Sequence, residues 1–142
     1  VIATDHAPHT WEEKSKGYWA APSGLPLVQH SLNIMLEFVQ QGKISIERVV
    51  EKMSHAVADV FQIDRRGYIR EGYWADLVLV DLNQPTTVTK ENILFKCGWS
   101  PLEGTTFQSG ITHTIVSGHL VYANGVFDES ERGKRLRFTR TV

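Results

Sequence analysis

The 142 residues carry 15 Lys and Arg against 16 Asp and Glu, a net charge of -1, with 42% hydrophobic and 22% charged side chains. That balance belongs to a globular chain able to bury a core, and it excludes a disordered or fibrous one. It leaves no basic footprint for nucleic acid or an anionic membrane.

No apolar run approaches the roughly 18 residues that span a bilayer. Cys97 is the only cysteine, so no intrachain disulfide forms and a reducing, cytoplasmic compartment is expected. No local motif presents a base to Cys97, which argues against a nucleophile there. The one basic cluster, Glu131 to Arg137, reads as a solvated terminal segment. The chain opens on Val1, inside an apolar run and without Met, which reads as a piece of a longer protein.

Val1-Ile2-Ala3-Thr4 is short, apolar and β-branched, and breaks into Asp5-His6-Ala7-Pro8-His9. A buried strand ending in a polar loop is the pattern of a parallel-sheet strand whose C-terminal end carries chemistry. Thr10 to Gly24 is polar and punctuated by Gly17, Pro22 and Gly24, and reads as a long loop of the kind that often serves function.

From Leu25 to Gln41 the period becomes helical, with Val28, Leu32, Met35 and Val39 three and four apart. Pro26 suits the first turn and Gly42 the stop. A second helix is expected from Ile46 to Phe61, with Ser45 as its N-cap and Glu47 near the positive end of its dipole.

After Asp64 the pattern turns to β. Gly67 to Ile69 and Ala75 to Asp81 read as strands around a turn at Glu71-Gly72. Thr86 to Val88 reads as a short strand and Lys90 to Lys96 as a helical turn. Ile111 to Val116 and His119 to Tyr122 form a hairpin across Ser117-Gly118, and Asn124-Gly125 turns into Val126-Phe127. The chain divides near residue 63. One strand and two helices cannot close a sheet, so the first part needs strands from elsewhere, its own missing N-terminal part or a second copy in a homo-oligomer.

An acid and two histidines within five residues at a strand end fit a metal site, a base with substrate-binding partners, or a plain polar loop. A carboxylate is a hard ligand for a divalent cation and also a proton carrier. Histidines beside it can bind substrate anions or only hydrogen-bond.

Ile2 to Thr10 resembles the last barrel-strand motif of the dihydroorotase branch of the cyclic amidohydrolases, and Glu12-Glu13-Lys14 follows at that family's spacing. Ala58 to Phe61 resembles the helix that closes its barrel. Gly67 to Asp81, Ser100-Pro101-Leu102-Glu103-Gly104 and Thr114 to Tyr122 resemble its return into a β-sandwich domain. Each piece is weak alone; their order along nearly the whole chain makes the likeness specific.

The resemblance implies an α/β fold. Residues 1–62 would be the last βα unit and closing helices of a TIM-like metal-hydrolase barrel, and residues 63–142 part of a composite β-sandwich. It implies zinc-dependent, reversible hydrolysis of dihydroorotate, a small-molecule substrate, to N-carbamoyl-aspartate in pyrimidine synthesis. Asp5 would be both a zinc ligand and the general base that passes a proton to the leaving ring nitrogen. His9 would contact the substrate carboxylate, Ser23 and Gly24 would lie in the loop that closes over the substrate, and His6 would hydrogen-bond structurally.

Two departures stand out. Ala56-Val57-Ala58 replaces the family's usual Asn-Pro-Ala. There is also no His-x-His, no candidate for a carbamylated lysine and no further histidine ligand; His30, His55, His113 and His119 read as surface or core histidines. One carboxylate does not hold a zinc pair, so the chain alone is expected to be catalytically incomplete. Two other readings stand beside dihydroorotase. One is an allantoinase, dihydropyrimidinase or hydantoinase on the same scaffold; the other is a non-catalytic homologue serving as an assembly partner.

Overall fold

The computed structural model describes residues 1–139, so the last three positions of the expected 63–142 unit lie outside the described residues. The chain is α/β, with helices in the first half and antiparallel strands in the second. Among the described residues no helix is long and apolar enough to cross a membrane.

The Thr10–Gly24 stretch, expected as loop, opens with a short helix, α1 (Trp11–Lys14). Its cause is local: the Thr10 hydroxyl accepts from the Glu13 amide while the Glu13 carboxylate accepts from the Thr10 amide. This reciprocal cap satisfies two donors that a helix start otherwise leaves open.

The first long helix begins later than its periodicity suggests. A 3-10 turn at Val28–His30 leads into α2 (Ser31–Gln40). Pro26 therefore lies outside the helix, because Leu27 is non-helical and the amides of Leu27 and Val28 donate to the His6 ring. Gly42 takes φ +69 at the stop, as a C-terminal glycine does.

The second helix forms over Ile46 to Phe61, but in three parts. These are α3 (Ile46–Val50), a π-helical turn at Glu51–His55 and α4 (Ala56–Phe61). The Ser45 hydroxyl caps it, accepting from the Arg48 amide at 3.3 Å.

Among the described residues six strands follow: β1 (Leu77–Asp81), β2 (Thr86–Thr87), β3 (Thr106–Phe107), β4 (Gly110–Val116), β5 (His119–Ala123) and β6 (Val126–Phe127). β1, β4, β5 and β6 form one antiparallel sheet in that order, and β2 pairs with β3. Ser117-Gly118 and Asn124-Gly125 both have positive φ at their two residues, the turn geometry that matches strand twist in a two-residue hairpin.

Four expectations are corrected. Val1–Thr4 forms no strand, because among the described residues no strand runs beside it; just beyond it, His6 makes a single parallel bridge with Leu25. Gly67 to Ile69 is irregular, since Gly67 sits at φ +79 where a Cβ would stand 2.9 Å from the Ser54 carbonyl oxygen. Of Ala75 to Asp81 only Leu77 onward is strand. Asp76 instead takes the Arg66 guanidinium on one carboxylate oxygen and the Ser117 amide, at 2.7 Å, on the other. Lys90 to Lys96 yields only a 3-10 turn at Lys90–Asn92.

Among the described residues the buried apolar side chains are few: Pro26, Leu36 on α2, Val49 on α3, Ala58 on α4, Val88 and Phe107. α2 also reaches into the β region. Gln29 donates to the Asn92 carbonyl and accepts from the Leu94 amide, and Glu37 accepts from the Gln108 amide. Arg66, 8% exposed, is paired with Asp76, bonded to the Ser117 hydroxyl and the Lys134 carbonyl, and covered by the Trp74 ring. A buried cation with every side engaged is costly to strip of one partner.

His30 is buried between Phe95 and Phe107, with ring centroids 5.9 and 6.4 Å away. Burial holds its pKa below the ordinary histidine value. The unfolded chain therefore binds a proton more readily than the folded one below about pH 6.5. Stability is complete above that pH and declines as pH falls through it. A urea midpoint that drops between about pH 7.5 and 5.5, and drops less in His30→Leu, is expected. An equal drop in both proteins contradicts this role for His30.

Candidate functional site

Asp5 is exposed and adopts φ +47. Asp and Asn tolerate this left-handed conformation better than other side chains, yet it still costs about 1–3 kcal/mol. Strain of that size persists only where surroundings over-determine the backbone. Here three groups brace the loop, two of them close to Asp5 and the third further along, at His9.

The first is His6. Its Nδ1 accepts from the amides of Leu27, at 3.1 Å, and Val28, at 3.4 Å, and its ring lies 5.2 Å from that of Phe95. Accepting at Nδ1 assigns the ring proton to Nε2. His6 thus performs the structural hydrogen bonding expected of it and ties the Asp5 loop to the start of the helical region.

The second is Gly24. The Ala7 amide donates to the Leu25 carbonyl at 3.0 Å, and Gly24 sits at φ +98 against Ala7. A Cβ at Gly24 would overlap that of Ala7. Neither the conformation nor the space admits another residue. Lys14 fixes the other end of this loop, donating from Nζ to the Pro22 carbonyl at 2.6 Å. Ser23 lies between these anchors and is exposed.

The third is Trp99. His9 donates its amide to the Ala7 carbonyl at 2.9 Å and accepts, at its own carbonyl, the Trp99 indole N–H at 2.8 Å. Trp11 packs edge-on against Trp99, centroids 5.5 Å apart. The His9 Nδ1 faces the Glu13 carboxylate at 3.6 Å. The Thr10 amide, and then the nearby His9, hold the Glu13 carboxyl below its ordinary pKa.

Gly24 and His9 therefore flank Ala7, two residues beyond Asp5, on a loop braced by three others. Phe95 and Trp99 carry no local signal of a role in building the site, whereas Lys14 belongs to the Glu12-Glu13-Lys14 run within the resemblance. Thr10 and Glu13 carry a readable capping signal, but nothing local announces that Trp99 meets a carbonyl 90 residues away.

The other histidines are occupied elsewhere. His55 stacks on Tyr68 at 4.3 Å, His113 contacts Thr112 and His119 pairs with Asp128. Among the described residues no three His, Cys, Asp or Glu side chains gather as a metal site. Asp5 with a backbone-bound His6 does not fit a zinc pair. A cavity of about 640 Å³, lined by His30, Asn33, Phe107 and Tyr122 among others, includes none of Asp5, His9, Ser23 or Gly24.

Residues 1–121 match the amidohydrolase family. The chain belongs to that family. The dihydroorotase of Halobacterium salinarum is 43% identical over 104 residues, covering 73% of this chain and 25% of that protein. The dihydroorotase of Pyrococcus horikoshii is 36% identical, covering 96% of this chain and 31% of that protein. Among solved structures, the D-hydantoinase (dihydropyrimidinase) from Thermus sp. superposes with a TM-score of 0.80 at 26% identity, covering 87% of this chain and 28% of that one. This amidohydrolase chain spans about a quarter to a third of the length of the relatives it matches.

Gly24→Ala is expected to destabilise the protein by about 1–3 kcal/mol in a denaturant titration, from backbone conformation and overlap together. Ala7→Gly in the same chain should recover the part due to overlap. No recovery in the double variant contradicts the Ala7–Gly24 contact.

Proposed function

We propose that this chain forms part of a cytoplasmic dihydroorotase. Its residues 1–62 are the last βα unit and closing helices of a TIM-like barrel, and residues 63–142 are part of a β-sandwich. The observation that carries the reading is Asp5, held at φ +47 at the head of a loop pinned by Gly24 and Trp99. Two relatives named dihydroorotase, at 43% and 36% identity, support that choice among amidohydrolases.

Opening the ring of dihydroorotate adds water across an amide C–N bond. The carbonyl carbon gains oxygen and the ring nitrogen gains a proton. Asp5 is the group that takes the proton from water and delivers it to the departing nitrogen; in ring closure it carries the proton back. His9 binds the substrate carboxylate, leaving Nε2 for it because Nδ1 faces Glu13. Ser23 and Gly24 form the loop over the substrate. The zinc expected of a dihydroorotase rests here on Asp5 alone, so the proton transfer is assigned to the carboxylate without a metal step.

Several large apolar side chains on the sheet stand exposed, Val126 at 70% and Phe127 at 52%. Together with the partial span of the relatives, this supports a reading in which other parts of a longer chain, or a second copy, cover them. The likeness to the Thermus D-hydantoinase favours a second reading, the same scaffold acting on a hydantoin or dihydropyrimidine that lacks a carboxylate.

Asp5→Asn in the complete protein is the direct test, since Asn also tolerates the left-handed backbone. Turnover of dihydroorotate should fall by about 10²–10⁴-fold or more, with the circular dichroism spectrum and urea midpoint preserved. Near-normal turnover contradicts the assignment.

A further inference from the structure

We propose that Trp99, from the β half of the chain, is a positioning residue that sets where His9 meets the substrate carboxylate. The inference rests on the dihydroorotase reading and deepens it, because it names what determines preference for a carboxylated ring.

His9 has four polar groups, and three of them have a partner within the chain. Its amide is taken by the Ala7 carbonyl, and its Nδ1 faces the Glu13 carboxylate at 3.6 Å. Its carbonyl takes the Trp99 indole N–H, at 2.8 Å. That last bond alone reaches outside the Asp5 loop, α1 and the adjoining loop. The loop's own contacts fix the ring's rotation, through Glu13, but an exposed four-residue helix is a weak support. Trp99 supplies the distant anchor.

The indole is itself held. Trp11, two residues after His9, packs edge-on against it, so Trp99 grips the His9–Trp11 segment at both a carbonyl and a ring. Edge-to-face geometry resists rotation of either ring. The Trp99 N–H is thus directed at one acceptor. A shift of that carbonyl moves Nε2 of His9, the nitrogen left to face a substrate anion. It does not touch the Asp5 backbone, which His6 and Gly24 hold independently.

This separation predicts a kinetic split. An anchor for carboxylate recognition alters substrate affinity more than the chemical step. In the complete protein, Trp99→Phe keeps an aromatic ring next to Trp11 and removes the N–H together with one ring of the indole. The KM for dihydroorotate should rise about five- to tenfold, the loss of about one hydrogen bond, with a much smaller change in kcat. A merely structural Trp99 moves both constants, or lowers stability without the split.

The decisive measurement combines this change with His9→Ala. With the histidine side chain gone, Trp99→Phe should add little further increase in KM, while its effect on thermal unfolding should persist. A KM unchanged by Trp99→Phe in the parent protein overturns the proposal, and so does an equal rise in both backgrounds. Should Trp99→Phe fail to fold, His9→Ala, Trp11→Leu and their combination make the equivalent cycle. Additive effects on KM then overturn it. If the parent protein does not turn over dihydroorotate at all, the functional reading fails first.

Discussion

Ala7 and Gly24 approach so closely that the Ala7 methyl leaves no room for a Cβ at position 24. The approach allows the Ala7 amide to reach the Leu25 carbonyl, and this is the bridge on which the site depends. On one side of it stands Asp5 in a conformation few residues accept; on the other, His9 and the short helix that follows. Without a glycine at position 24 the two loops separate, and the strain at Asp5 loses what sustains it. A loop rich in polar residues is ordinarily adaptable. This one is held by geometry rather than by burial.

The second half of the chain completes the support. Trp99 reaches the His9 carbonyl, Phe95 lies on the His6 ring, and α2 is stitched to the β region by Gln29 and Glu37. Few side chains are fully buried, so directional bonds between the halves matter more than in a chain with a large core. The segment between β2 and β3 supplies fixed points, Phe95 and Trp99, from which an exposed loop is aimed.

Much of this was legible in the residues. The Ser45 cap, both two-residue hairpins and most of each helical period formed as their local patterns indicate, because each depends on neighbours within one turn or one strand pair. The strand over Val1–Thr4 did not form, since a parallel strand depends on partners remote in sequence. Pro26 was displaced from the helix by a side chain, His6, that competes for the amides at its start. The cap formed by Thr10 and Glu13 was readable, but sits in a stretch whose composition suggested only loop. The Asp5 to His9 cluster was visible as chemistry; its bracing was not. Trp99 and His9 lie 90 positions apart, and no periodicity encodes that distance.

Family membership narrows the chemistry to amidohydrolase catalysis, and the substrate-carboxylate contact proposed for His9 is what favours dihydroorotate within it. The most direct test compares substrates with the complete protein: dihydroorotate, dihydrouracil and hydantoin under one set of conditions, with ring opening followed by loss of ultraviolet absorbance. The highest kcat/KM should belong to dihydroorotate. A higher value for either ring without a carboxylate would place the chain in a hydantoinase or dihydropyrimidinase and remove the role given to His9.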